Sequence, residues 1–117
     1  MIKGVGTDII EIERIKNAGE NFNKRMFTER ELQKFHGFRY NSLAGIFAAK
    51  EAVAKALGTG FSGFAPKDIE IAQDKLGRPI CLLTGGAKER LEFLEATNVY
   101  ISISHNNDNA VAFAVIE

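Results

Sequence analysis

Apolar residues recur along this chain with two different periods, and the change of period marks its elements. Ile2 to Gly6 reads as a short strand. Asp8 with Glu11 three residues on reads as a capping box. It would open a helix whose stripe is Ile9, Ile12 and Ile15. Thr28 with Glu31 repeats that signature before a short helix with Leu32 and Phe35 on its inner side. Ser42 is placed to cap a long helix with Ile46, Ala49, Val53, Ala56 and Leu57 on one stripe, and Gly58 suits the position just past its end. Gly58 to Pro66 is a loop of glycine and phenylalanine, either a plain connector or a segment that orders on a ligand or a neighbouring subunit. Period two then takes over. Asp68 to Ile71 and Pro79 to Leu83 form a hairpin around Gly77. Ala87 to Ala96 is a helix, Val99 to His105 a strand, Asn106 to Asn109 a turn, and Ala110 to Ile116 a closing strand. Helices come early and strands late, which predicts one small α+β domain over residues 1–117 with an antiparallel sheet and a long central helix.

The 117 residues are 45% apolar and 26% charged, ordinary for a soluble domain with its own core. Net charge is zero, so the bulk balance gives no case for nucleic acid. Basic residues are concentrated in the first third, including Arg14, Lys16, Lys24 and Arg25, although acids interleave with them. That surface fits either an acidic partner or an ordinary solvated face. The single cysteine, Cys81, excludes an internal disulfide, and its apolar neighbours make it a core residue. No run suits a membrane span and the N-terminus lacks a secretory apolar stretch, so the cytoplasm is the expected compartment.

Chemistry is suggested by a few residues only. Glu51 and Lys55 lie four apart on one helical face just before Gly58-Thr59-Gly60. An exposed ion pair is the plain reading. A carboxylate, an ammonium and free backbone N–H groups are also what a phosphate–metal site needs. Asp8 could be a cap alone or a second carboxylate brought to Glu51 by the fold, and Mg²⁺ suits few carboxylates completed by phosphate oxygens and water. His105, at a strand end, fits a surface role or contact with a phosphate, while His36 offers no role. No P-loop, dinucleotide-binding glycine motif or zinc cluster is present.

Three segments together meet a known pattern. They are Gly4-Val5-Gly6-Thr7-Asp8-Ile9-Ile10-Glu11-Ile12-Glu13-Arg14-Ile15, the central Phe47-x-x-Lys50-Glu51-Ala52-x-x-Lys55-Ala56-x-Gly58-Thr59-Gly60, and Ser102-Ile103-Ser104-His105. In order and spacing, over essentially the whole length, the chain resembles the short type of bacterial 4′-phosphopantetheinyl transferase, which modifies acyl carrier proteins. The resemblance implies transfer of the 4′-phosphopantetheine arm of coenzyme A to a carrier serine, in support of fatty acid biosynthesis, with release of adenosine 3′,5′-bisphosphate. It implies Asp8 and Glu51 as Mg²⁺ ligands and catalytic acids, and Lys55 as the cation at the leaving phosphate. His105, Lys50 and the Gly58-Thr59-Gly60 turn would border the coenzyme, and Arg14 and Arg25 would meet the acidic carrier. It leaves open whether Glu51 or a water takes the serine proton. It implies a homotrimer with pockets shared between subunits, for which Ile101, Ile103, Val111, Phe113 and Val115 could supply the contact surface. A Mg²⁺-dependent nucleotide phosphohydrolase using the same acids, and a non-catalytic module binding an acidic protein, are the competing classes.

Overall fold

The computed structural model describes residues 1–34 and 39–117, so Phe35 and His36 lie outside the described residues. The chain runs β1 (Gly4–Glu11), α1 (Ile12–Ala18), α2 (Glu20–Met26), α3 (Glu29–Lys34) and α4 (Tyr40–Ala56). A 3₁₀ turn (Pro66–Asp68) leads to β2 (Ile69–Gln73), β3 (Pro79–Leu83), α5 (Gly85–Phe93), β4 (Val99–His105) and β5 (Asn109–Ile116). Strands β1, β5 and β4 form one antiparallel sheet in that order, and β2 and β3 form a separate antiparallel hairpin. The α+β class and the antiparallel pairing agree with the sequence pattern.

Asp8 does not open a helix. It lies within β1, which pairs with β5 from Gly4 to Glu11, and α1 begins only at Ile12. The spacing of Ile9, Ile12 and Ile15 imitates a helical stripe, but the run is rich in β-branched residues. A strand over its first half satisfies eight residues against the chain's far end, a partner that local spacing cannot reveal. The Thr28–Glu31 box is real: Thr28 N–H donates to Glu31 Oε1 at 2.8 Å, and Glu31 N–H donates to Thr28 Oγ1 at 3.2 Å. Ser42 is not the cap of α4. Arg39 holds that position, and Leu43 N–H donates back to its carbonyl at 3.1 Å, which draws Ser42 into the first turn. Helix α5 starts two residues earlier than the pattern implies and stops at Phe93.

Register divides the sheet into two faces. Asp8 pairs with Ala112 and Ala112 with Ile103; Ile10, Ala110 and His105 form the next row on the same side. This side is covered by α4, and Ala110, Ala112 and Ala114 are buried there. The helix comes very close. A Cβ on Gly4 would lie 2.0 Å from the Ala56 carbonyl oxygen, and one on Gly6 2.0 Å from that of Ala52. Two residues of strand advance about 6.6 Å and one helical turn of four residues about 6 Å, so the glycines and alanines stay matched along the contact. Helix α4 is buried on most sides rather than along one stripe, because the β2–β3 hairpin packs on it through β2 while β3 lies against β4.

The opposite sheet face is open. Val5, Ile9, Tyr100, Val111 and Phe113 remain 37–67% exposed on it. The expected contact set therefore divides: Val111, Phe113 and Val115 are on this face, whereas Ile101 and Ile103 point to α4 and help cover the core. Among the described residues no helix is long and apolar enough to cross a membrane.

Candidate active site

Asp8 follows Gly4 and Gly6 on the helix-facing side of β1, so the close approach of strand and helix carries it toward α4. There Lys55 Nζ donates to Asp8 Oδ1 at 3.1 Å and to the Thr7 carbonyl at 2.9 Å. The ammonium serves Asp8, not Glu51 as the four-residue spacing suggests. Glu51, one turn earlier, is half-buried. Its carboxyl is held above the ordinary carboxylate range, first by burial and then by the negative charge of Asp8, with Lys55 opposing. Two acids from residues 43 apart in sequence thus share a site with one cation. The Lys55 side chain is 53% exposed, so the cluster opens to solvent. Among the described residues no group of three or more His, Cys, Asp or Glu is placed to hold a metal ion. A pair of carboxylates with an open side fits a hard divalent cation that takes its remaining ligands from a phosphate substrate and water.

The turn after α4 lies one helical step beyond Lys55. Gly58 and Gly60 have φ of 85° and 58°, values that side chains rarely adopt. Their N–H groups are not free for a phosphate. Gly58 N–H donates to the Lys55 carbonyl at 3.0 Å and Gly60 N–H to that of Ala54 at 3.2 Å, closing the helix. Thr59 Oγ1 donates to the Gly60 carbonyl at 3.1 Å. Arg90 of α5 reaches in and donates from Nε to the Leu57 carbonyl at 2.9 Å, a cation on the negative end of the helix. The sequence reading missed Arg90, because nothing in its local pattern links α5 to the end of α4. Phe61 and Phe64 meet edge to face, 5.8 Å between centroids, and both pack on the core.

Lys50 is not a coenzyme contact. It is fully buried, and its ammonium meets Glu31 Oε1 at 2.9 Å, the Pro66 carbonyl at 3.0 Å and the Ile69 carbonyl. Burial pushes its pKa down, and the Glu31 charge pushes it back up. Cys81 packs at the edge of this core and its thiol is pushed up to about 12 by burial, which leaves it inert.

His105 is exposed at the end of β4. It lines a cleft of about 240 Å³ with Lys34, Asn41, Ser42 and Gln73, and a shallower one with Lys16 and Tyr40. Asp8, Glu51 and Lys55 line neither cleft. Arg14 on α1 and Arg25 on α2 are exposed and make no ion pair among the described residues. The closeness of Gly4 and Gly6 to α4 was also missed, although glycines two apart on a strand share a face and signal close backbone approach.

Comparison with known proteins agrees with this fold. The model of the 4′-phosphopantetheinyl transferase superfamily matches residues 4–114. A holo-(acyl-carrier-protein) synthase of Clostridium tetani is 52% identical, covering 100% of this chain and 97% of its own length. The crystal structure of the corresponding synthase from Neisseria meningitidis superposes with a TM-score of 0.90 at 40% identity, covering 100% of this chain and 99% of that one. That of Helicobacter pylori, solved in complex with coenzyme A, gives 0.85 at 30% identity and covers 97% and 99%.

Proposed function

The chain belongs to the 4′-phosphopantetheinyl transferase superfamily, and from that premise we propose that it is a holo-(acyl-carrier-protein) synthase. It moves the 4′-phosphopantetheine arm of coenzyme A onto a serine of apo acyl carrier protein. The observation that carries the reading is the meeting of Asp8, Glu51 and Lys55 between β1 and α4.

The serine Oγ forms a bond to the phosphorus that bears the pantetheine arm. The bond from that phosphorus to the bridging oxygen breaks, and adenosine 3′,5′-bisphosphate departs. Positioning and charge neutralisation supply most of the acceleration in such a transfer. Asp8 and Glu51 would hold Mg²⁺, which when bound supplies positive charge to the diphosphate. Lys55, already beside Asp8, offers its ammonium to the leaving phosphate. Glu51, or a water beside it, receives the serine proton. Gly58, Thr59 and Gly60 shape the wall past Lys55, with the N–H groups of Gly58 and Gly60 engaged at the end of α4. Arg14 and Arg25 are free to attract an acidic carrier.

The open sheet face is the surface through which three copies would assemble, and the assembly would bring His105 of one copy toward the acid cluster of another. The cytoplasm, where coenzyme A and carrier proteins meet, is the matching compartment. Incubation with coenzyme A, Mg²⁺ and an apo carrier protein should raise the carrier's mass by one phosphopantetheine group. No gain on any acidic carrier, together with phosphate release in the absence of carrier, would replace the transferase with a phosphohydrolase.

A further inference from the structure

The buried pair Glu31–Lys50 takes no part in the reacting cluster, yet Lys50 immediately precedes Glu51. We infer that Glu31 and Lys50 are positioning residues that lock the rotation of α4 about its axis and so aim Glu51 and Lys55 at Asp8. The inference rests on the transferase reading only for its kinetic consequence. Successive helical residues are about 100° apart around the axis, so the direction fixed for Lys50 dictates that of Glu51.

On its sheet side α4 offers little relief to set that direction. Ala48, Ala49, Ala52 and Ala56 present ridges only a methyl high, and Ala52 and Ala56 lie against Gly6 and Gly4 of β1. The buried Leu43, Ile46, Val53 and Leu57 add apolar packing on the other sides, and apolar packing tolerates rearrangement. Lys50 is anchored differently. Its ammonium has acceptors on three separate elements: Glu31 of α3 at 2.9 Å, Pro66 of the 3₁₀ turn at 3.0 Å, and Ile69 of β2. Glu31 is itself held, accepting from Thr28 N–H at 2.8 Å and from Ile71 N–H at 2.8 Å. The tip of Lys50 is therefore fixed by a frame that encloses α4 on the side away from the sheet.

Stability does not account for such a pair. Removing two charges from water offsets most of their attraction, and well-packed apolar residues of similar volume serve a core as well or better. What the pair adds is direction: three acceptors admit one placement of Nζ, whereas an apolar side chain in the same space admits several.

The test is Glu31→Leu combined with Lys50→Met, in the full chain. The thermal midpoint should be unchanged or higher. The crystal structure should show α4 rotated, with Lys55 Nζ more than 3.5 Å from the Asp8 carboxylate, the hydrogen-bond limit. Transferase kcat should fall at least tenfold with the KM for coenzyme A within about threefold. If the double variant does not fold, Glu31→Gln, isosteric but uncharged, takes its place with the same readouts and a smaller loss. An unrotated α4 with the Lys55–Asp8 contact intact, or kcat within twofold of the parent, would overturn the inference. If the parent itself proves inactive, the proposed function fails, and the rotation of α4 still decides this one.

Discussion

Two lysines five residues apart on one helix show how burial separates structure from chemistry. Lys50 is enclosed and paired, so Lys50→Ala leaves Glu31 charged and alone in the core; a loss of about 3–5 kcal/mol is expected in chemical denaturation. Lys55 is 53% exposed, so Lys55→Ala should cost less than about 1 kcal/mol while removing most turnover. Equal losses of stability and rate in Lys55→Ala would contradict a role at the leaving phosphate. Glu51 carries the pH dependence. Its folded pKa is raised above the ordinary 4.5, so the folded form keeps its proton after the unfolded chain has lost it. The contribution is neutral below 4.5 and turns unfavourable as pH rises from 4.5 through the raised value. Without divalent cation, Glu51→Gln should therefore be more stable than the parent at neutral pH. It should lose that advantage in acid, and it should not turn over. Thermal melts across the acid range check the sign.

Among the elements, β1 and α4 matter most, because their close approach brings Asp8 to Lys55 and Glu51. Gly6→Ala would place a methyl 2.0 Å from the Ala52 carbonyl oxygen, and both partners are backbone, so strand and helix must part. A loss of about 2–3 kcal/mol is expected, together with a fall in kcat beyond what the unfolded fraction explains. The same substitution at Gly19, which has open space but a φ of 91°, would cost only local strain. Stability measured by thermal melting beside single-turnover rates distinguishes the two outcomes. The element boundaries that the sequence pattern misplaced have a common cause. In β1 the hydrogen-bond partner is β5, a hundred residues on in the chain. In α4 the apolar pattern is smeared, because packing on two sides leaves only a narrow polar strip to give it a period.

The whole molecule presents one face that a monomer leaves unsatisfied. Val5, Ile9, Tyr100, Val111 and Phe113 expose a contiguous apolar sheet surface, flanked by strands whose other side is core. If three copies cover it, Phe113→Asp should convert the assembly to monomer in light scattering and depress activity. The fold of each chain should remain, since the side chain is 48% exposed. A variant that stays monomeric yet fully active would show that each chain holds a complete site. Charge acts at the same scale. Arg14→Ala should raise the KM for the carrier severalfold at low salt and hardly at all at high salt, because screening already weakens the attraction. A salt-independent effect would point to a packed contact instead.

Local order and residue identity were legible in the sequence: the β2–β3 hairpin, the strands β4 and β5, the glycine stop after α4, the Thr28–Glu31 box, and the acids and lysine that carry the family resemblance. These depend on neighbours within a few positions, where period and propensity are enough. Only the tertiary structure decided which partner each charge takes. It gave Lys55 to Asp8 and Lys50 to Glu31, drew Asp8 into a strand, used the N–H groups of Gly58 and Gly60 to close a helix, and turned Ile101 and Ile103 inward. Each of these follows from contacts between residues distant in the chain, and the strength of a charge's interaction depends on burial and distance, which no spacing along a sequence can supply.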